Sequence, residues 1–402
     1  MANPGPSWHI VGTGDFNADA HADILWQNDD GTPAIWLMNG LNFIAGGGIP
    51  NPGASWHVAG NGDFNGDGKS DILWQNADGT PAIWLMNGTT FIGGGGLPNI
   101  GLSWVISGVG DFNGDGKADI LWQNLDGTPA IWFMNGSTFI GGGTAGTPLP
   151  LWHVAVTGDF NGDGHADILW QTDDETTLAL WEMNGTNFIG GGAVPDPGRP
   201  WHVERSGDFN GDGKADILWG NDNRTSAIWL MNGTNFIGGG GLPDPGPGWL
   251  VFAFDSGGVP RTGDFNGDGK SDILWQNVDG SAAIWFMNGA TFIGGGLADP
   301  PDNALPITAA SLGSQTSMRF AGDPSADAPL TATSGSDAFD LTSSPSTAAA
   351  HSISDFDPSQ DIVQLSGPNL TKCADPQAPS IASGDGTLIA VDSDCSLPSH
   401  HL

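Results

Sequence analysis

Short apolar runs rich in β-branched and aromatic side chains recur along the chain, each closed by Gly, Asn or Asp. In one clear stretch, Asp71-Ile-Leu-Trp-Gln75 and Pro81-Ala-Ile-Trp-Leu-Met86 are separated by Asp78-Gly79 and followed by Asn87-Gly88. Runs of this length and content predict strands. The two dipeptides predict tight hairpin turns, because Gly and Asn tolerate positive φ. The stretch therefore reads as four antiparallel strands at 56–64, 71–75, 81–86 and 90–95. Its strands are apolar on both faces instead of alternating, so one such sheet needs a neighbour on each side.

The neighbours are copies of itself. Six units begin at Trp8, Trp56, Trp104, Trp152, Trp201 and Trp249, spaced 48, 48, 48, 49 and 48 apart, and they use all 18 tryptophans of the 402-residue chain. A period of roughly 40 to 50 residues with four strands per unit predicts a β-propeller. A linear β-solenoid fits less well because its coils are shorter. The expected fold is all-β: a propeller of four-stranded antiparallel blades over 1–304 and a β-rich C-terminal region over 305–402. The ring is six-bladed, or seven-bladed if that region adds a degenerate blade. The sixth unit carries about eight extra residues within 250–262. Because they break the near-symmetry, a unique partner site, if there is one, is expected there; the alternative is a tolerated surface insertion.

Charge sharpens this picture. There are 45 acidic side chains against 10 basic ones, a net −35, and all but Glu175, Glu182 and Glu204 of the acids are Asp. Such a polyanion is a poor partner for nucleic acid or anionic membranes. No apolar run reaches the roughly 18 residues of a membrane helix, and no cleavable signal peptide is visible at the N-terminus.

The aspartates concentrate in a nine-residue loop between the first two strands of every unit. Five loops follow D-x-N-x-D-G-x-x-D: Asp63/Asn65/Asp67/Asp71, Asp111/Asn113/Asp115/Asp119, Asp159/Asn161/Asp163/Asp167, Asp208/Asn210/Asp212/Asp216 and Asp264/Asn266/Asp268/Asp272. Side-chain oxygens at positions 1, 3, 5 and 9 can converge on a hard cation. The backbone carbonyl of position 7 (Lys69, Lys117, His165, Lys214, Lys270) can join them. Calcium, with its six to eight oxygen ligands in flexible geometry, suits this set better than magnesium. About six calcium ions per chain are expected. An EF-hand starts the same way but closes with Glu at position 12, where this chain has a strand tryptophan such as Trp74. The first loop, Asp15, Asn17, Asp19, His21 and Asp23, has Ala20 where the others have the turn glycine. At a cost of about 1 kcal/mol, it is expected to be the weakest site.

With six copies of D-x-N-x-D-G-x-x-D-I-L-W-like sequence, residues 8–304 resemble FG-GAP/VCBS repeats, the calcium-loop blades of integrin α-subunit propellers and many bacterial secreted proteins. The resemblance implies a propeller with calcium in the hairpin loops on one face. It leaves function open among adhesion, sugar binding and protein contacts. Beyond residue 304, Ser334 to Leu341, Ile353 to Leu365 and Thr387 to Asp392 read as short strands with acidic turns. They resemble the segment that follows calcium β-rolls in serralysin-like, RTX-type secreted proteins. Their G-G-x-G-x-D nonapeptides are absent, so no ion is assigned to Asp337, Asp340, Asp357 or Asp361. This tail implies a bacterial protein exported through an uncleaved C-terminal signal. Cys373 and Cys395 are either paired or two free thiols.

No catalytic motif is present: there is no H-E-x-x-H, G-x-S-x-G, phosphate-binding loop or C-x-x-C. The polyglycine stretches (93–96, 238–241) read as structural turns. His9, His57, His153 and His202 follow the leading tryptophan, but Val105 and Leu250 replace them elsewhere, so they read as packing positions. Tryptophans such as Trp26/Trp36 and Trp275/Trp285 either fill the wedges between blades or stack on sugar rings. In the second case Pro33 and the Gln27/Asn28 amides would supply the lip and the hydrogen bonds. Two readings follow: a secreted, calcium-stabilised, non-enzymatic adhesion or protein-interaction scaffold, and a multivalent lectin with sites between blades.

Overall fold

The computed structural model describes residues 4–146, 151–246, 248–250 and 261–298, and the backbone of six C-terminal strands between residues 316 and 390. The first compact unit, Met1–Ile307, contains six antiparallel sheets in sequential strand order, covering residues 8–48, 56–96, 104–144, 152–194, 201–241 and 249–297. In the second repeat the strands are Trp56–Gly62, Asp71–Asn76, Pro81–Asn87 and Thr90–Gly96, each end within two residues of the expectation. First strands pack against first strands around the ring, and Arg261–Gly263 of the sixth blade returns to Trp8–Gly14 of the first. The ring therefore closes with six blades, and no seventh is needed. In the sixth blade the first strand is in two pieces, Trp249–Leu250 and Arg261–Gly263, both paired with Asp272–Asn277. Residues 251–260, and with them most of the insertion and its expected partner site, lie outside the described residues.

The core lies between blades. Second strands are buried along most of their length because both faces meet a neighbouring sheet. Phe16, Leu25 and Ile35 of blade 1 pack on Ile72, Trp74 and Met86 of blade 2, and Phe265, Leu274 and Ile284 of blade 6 close on Ile24, Trp26 and Trp36 of blade 1. The second-strand tryptophans Trp26, Trp74, Trp122, Trp170, Trp219 and Trp275 are all essentially fully buried. At about 25 cal/mol per Å², each such ring contributes roughly 4 to 6 kcal/mol of burial.

Outer strands are built differently. Each pairs on one side only and carries a one-residue bulge at its isoleucine, as where Leu85 pairs with Gly93 and Met86 with Phe91, leaving Ile92 over. A bulge re-aims a side chain, and here it turns the isoleucine to solvent. The polyglycine stretches belong to these strands; they are not turns, which corrects the sequence reading. One glycine per outer strand is sterically required: a Cβ on Gly94 would collide with the carbonyl oxygen of Ile83 on the third strand.

The second unit, Thr308–Leu402, alternates along the chain between two small sheets. Thr316–Phe320, Asp337–Thr342 and Ile362–Ser366 pair in parallel in one; Leu330–Thr331, His351–Ser354 and Leu388–Ala390 form the other. Cys373, Cys395, Asp357 and Asp361 lie outside the described residues. Among the described residues, no helix is long and apolar enough to cross a membrane.

Candidate functional site

Each acidic loop folds around its first aspartate. In the second blade Asp63 Oδ1 accepts from the Gly66 and Asp67 amides and Oδ2 from Gly68. Asp15, Asp111, Asp159, Asp208 and Asp264 hold the same amides of their own loops. Gly66 and Gly68 sit at φ 79° and 82°, so positions 4 and 6 both demand left-handed backbone. In the first loop those places are Ala18 and Ala20, at φ 62° and 67°. The strain expected at Ala20 is thus doubled by Ala18, which the pattern N-A-D-A already displayed. Two alanines held there cost about 1 kcal/mol each relative to glycine.

Position 9 behaves unlike a loop residue. Asp23, Asp71, Asp119, Asp167, Asp216 and Asp272 are wholly buried and begin the second strands. Both carboxylate oxygens accept main-chain amides: Asp71 Oδ2 from Phe64 at 3.0 Å and Oδ1 from Met86 at 2.9 Å. Burial pushes each of these carboxyls up to about 7, and the carboxylates at positions 1 and 5 push in the same direction. The two amides oppose this shift without cancelling it. Each loop therefore sets three acids against one another, and a cation is the usual remedy for such crowding.

At positions 3 and 5, whose oxygens are expected to converge on one cation, the side chains also hold the loop's own amides. Asn17, Asn113, Asn161, Asn210 and Asn266 accept, through Oδ1, the amides of Asp19, Asp115, Asp163, Asp212 and Asp268 at 2.8–2.9 Å. Those five aspartates and Asp67 are exposed. Their Oδ1 atoms accept the position-7 amides of His21, Lys69, Lys117, His165, Lys214 and Lys270 at 2.9–3.0 Å. Asn17, Asn161 and Asn210 also donate to the position-5 carboxylates of their own loops. The physical reason is the tightness of the turn: it brings the loop's own amides within reach of each side-chain oxygen, and an acceptor takes the nearest donor.

Among the described residues, no three acidic, histidine or cysteine side chains stand together as a ready metal cluster. The donor chemistry still fits a hard cation. Asp63, Asn65, Asp67, Asp71 and their counterparts form an all-oxygen set within nine residues. The oxygens of positions 3 and 5 keep further lone pairs beside the loop amides they accept, so they remain able to ligate an ion.

The loops are joined into a ring. The position-8 amide of each donates to the position-1 carbonyl of the preceding loop: Ser70 to Asp15, Ala118 to Asp63, Ala166 to Asp111, Ala215 to Asp159, Ser271 to Asp208 and Ala22 to Asp264, all at 2.6–2.7 Å. A second set runs from the Asn-Gly turn to the position-2 carbonyl, as Gly88 to Phe16 and Gly40 to Phe265. The position-7 side chain also leans backward. Lys117 lies over Gly66, Lys214 over Gly162, Lys270 over Gly211 and His21 over Gly267, while His165 Nδ1 lies 3.1 Å from the Phe112 carbonyl. Lys69, Lys117 and Lys270 also pair loosely with Asp67, Asp115 and Asp268.

The opposite ends of the strands are tied by glutamine. Gln27 Nε2 donates to the Trp56 carbonyl at 2.9 Å and its Oε1 accepts from Val58 at 3.1 Å, bridging blades 1 and 2. Gln123 does the same to Trp152 and Val154, and Gln276 to Trp8 and Ile10 across the closure. These three amides are engaged within the protein, so they do not form the sugar-binding lip considered from sequence. The leading histidines are also corrected. His9, His153 and His202 lie 2.6, 3.3 and 2.7 Å from Asp29, Asp173 and Asp222 of the next hairpin. These three pair with an acid instead of packing, and His57 is exposed.

A family model described as an FG-GAP-like repeat matches residues 63–122, 111–170 and 159–219. Each match starts at the first aspartate of an acidic loop and runs through the next blade's second-strand tryptophan. No curated protein matches the chain. Among solved structures, a chain of a Tc holotoxin pore from Photorhabdus luminescens is similar, with 17% identity and a TM-score of 0.48 over 73% of the present chain. The present chain spans 14% of that one's length. The matched loops and the unmatched ones share one geometry around the ring: the protein is a six-bladed β-propeller whose residues 63–219 match FG-GAP-like repeats.

Proposed function

We propose that the propeller is a non-enzymatic, multivalent interaction scaffold that works outside the cell, carries about six calcium ions in its acidic loops and holds protein partners on its rim. The observation that carries this reading is the rim itself. All six outer strands lack any charged residue, in a chain of net charge −35. Each presents a Phe–Ile pair. Ile44, Ile92, Ile140, Ile189, Ile237 and Ile293 are more than half exposed, and Phe91, Phe139, Phe188, Phe236 and Phe292 are exposed beside them. Apolar surface repeated in this way marks a contact site, and six equivalent contacts multiply weak affinities through avidity.

For calcium, the support is chemical: three acids per loop, one of them buried, together with an asparagine oxygen. The ion would be held by Asp63, Asn65, Asp67, Asp71 and the Lys69 carbonyl, and by their counterparts in each blade. It would supply the positive charge that lets the buried position-9 carboxyl ionise.

A glycan ligand is the second reading. The third-strand Trp84, half-buried, lies 5.1 Å from exposed Phe91, and this pair recurs around the ring as an aromatic platform. The test uses peptide display and a glycan array, each with and without calcium. The wild type is compared with a variant carrying serine for all six rim isoleucines. Peptide binding that disappears in the variant, at unchanged melting temperature, supports the protein-binding scaffold. Glycan binding that survives in the variant supports the lectin and removes the first reading.

A further inference from the structure

Blade 5 departs from its sisters at two positions that meet. The second strand ends Trp-Gln in blades 1–4 and 6 but Trp219-Gly220 in blade 5, so the glutamine that ties one blade to the next is missing there. On the strand beside it, the bulge residue is Val11, Ala59, Ser107 or Ala155 in blades 1–4 but Glu204 in blade 5. Glu204 is 4% exposed, and its Oε2 is buried without a hydrogen-bond partner. A Cβ built on Gly220 would overlap its carboxyl group, with Cδ only 2.9 Å away. The Glu204 carboxyl thus occupies the space from which a glutamine at 220 would start toward blade 6.

We propose that protonated Glu204 replaces the missing amide as the tie between blades 5 and 6, so that this one seam is held by a proton. The chemistry follows from what a glutamine does at the seams tied by Gln27, Gln123 and Gln276, whereas at the blade 4–5 seam Gln171 Nε2 is buried without a partner. A tying glutamine donates to the carbonyl of the leading tryptophan and accepts from the amide two residues on, as Gln27 does with Trp56 and Val58. A carboxylic acid also offers one donor and one acceptor, whereas a carboxylate offers acceptors alone. Trp249 is the leading tryptophan of blade 6 and pairs with Asn277 as Trp56 pairs with Asn76. Ionised Glu204 would present negative charge to that carbonyl and could no longer donate to it.

The surroundings favour the proton. Burial pushes the Glu204 carboxyl up to about 7, against the downward pull of Arg205 and His202 on its own strand. His202 is itself shared with Glu175 and Asp222. Arg261 stands on the blade 6 strand packed against Trp201–Gly207, and its side chain lies outside the described residues. The Trp249–Leu250 strand brings no charged residue. With a folded-state value above the ordinary one, this group's stabilisation is complete below about pH 4.5. It is lost as pH rises toward 7.

The test compares wild type, Glu204→Gln and the double variant Glu204→Ala/Gly220→Gln in excess calcium, by melting at pH 5 and pH 8. The six buried position-9 aspartates are common to all three and cancel in the differences. The wild type should lose several degrees relative to both variants on going from pH 5 to pH 8. Amide exchange at Leu250, corrected for its intrinsic rate, should accelerate at pH 8 in the wild type alone. The double variant restores the glutamine of the other blades, so it keeps the test open if Glu204→Gln folds poorly. A wild-type minus variant difference that is the same at both pH values overturns the proposal. Exchange at Leu250 that is indifferent to Glu204 does so as well.

Discussion

The two ends of the blades are joined by different chemistry. At the acidic-loop end, neighbouring blades are linked by main-chain hydrogen bonds, Ser70 to Asp15 and Gly88 to Phe16, repeated six times without exception. At the opposite end the links run through side chains, Gln27, Gln123 and Gln276, and blade 5 has lost its glutamine. A main-chain link survives any substitution that preserves the loop's shape, but it depends on that shape. A side-chain link can be deleted or exchanged one blade at a time. The loop end should therefore respond as a ring to whatever fixes loop conformation, and the glutamine end should respond locally.

The largest expected effect is at the loop end. With extracellular-type affinities of roughly 10⁻⁴ to 10⁻³ M and ~1 mM free calcium, linkage gives about 0.4 to 1.4 kcal/mol per site, or on the order of 2 to 8 kcal/mol for six. That rivals the ~5 to 15 kcal/mol by which domains are stable. Melting followed by tryptophan fluorescence should thus fall sharply in excess chelator, and most at low salt, where the crowded carboxylates are least screened. A melting temperature indifferent to chelator would reduce the loops to polar turns.

Next comes pH in chelator. The position-9 carboxyls are pushed up to about 7 in the folded protein, from an ordinary value of 3.8. The unfolded chain ionises first, so stability should decline as pH rises from about 4 to about 7 and level off above. Excess calcium should flatten that decline by favouring the ionised form. A metal-free protein that gains stability over the same range contradicts the burial of these acids.

Gln123→Ala should cost about 1 to 3 kcal/mol in urea unfolding, since it leaves the Trp152 carbonyl and Val154 amide unpartnered. The loss should be equal with and without calcium, because the glutamine end lies apart from the loops. A cost that vanishes in chelator would mean that the two ends are not independent. The smallest effect is Ala18→Gly with Ala20→Gly, which should stabilise the chain by up to about 2 kcal/mol by relieving two left-handed alanines. It should also tighten the first loop's calcium site toward the other five. No change in either would place the weakness of that loop elsewhere.

Much of the comparison was legible in the sequence, for physical reasons that differ by element. The 48-residue period, the Asp78-Gly79 and Asn87-Gly88 turns and the apolar strand runs specify blade number, strand order and register, because those are local signals. Position 9 was legible as an acid and, at Asp71, as the first residue of a strand, but not as a buried one, because spacing does not show that a neighbouring blade covers it. Positions 3 and 5 were legible as oxygen donors, but spacing does not reveal that Asn113 or Asp163 turns to a loop amide. The main-chain links leave no signature, since any residue has the amide and carbonyl they use. The glutamines were left between a ligand-facing and a structural role, because periodicity marks a role without saying whether it faces solvent. Ala18 and the Glu204–Gly220 exchange could have been found by aligning the six units column by column, as departures from otherwise uniform positions. The outward turn of the rim isoleucines depends on a bulge that composition does not reveal.

The most direct measurement for the central claim is calorimetric titration of chelator-stripped full-length chain with calcium, with metal analysis of the product. The account predicts about six ions per chain, with the first loop filling last and reaching parity in the Ala18→Gly/Ala20→Gly variant. Binding of no ion, or of a single one, would contradict it.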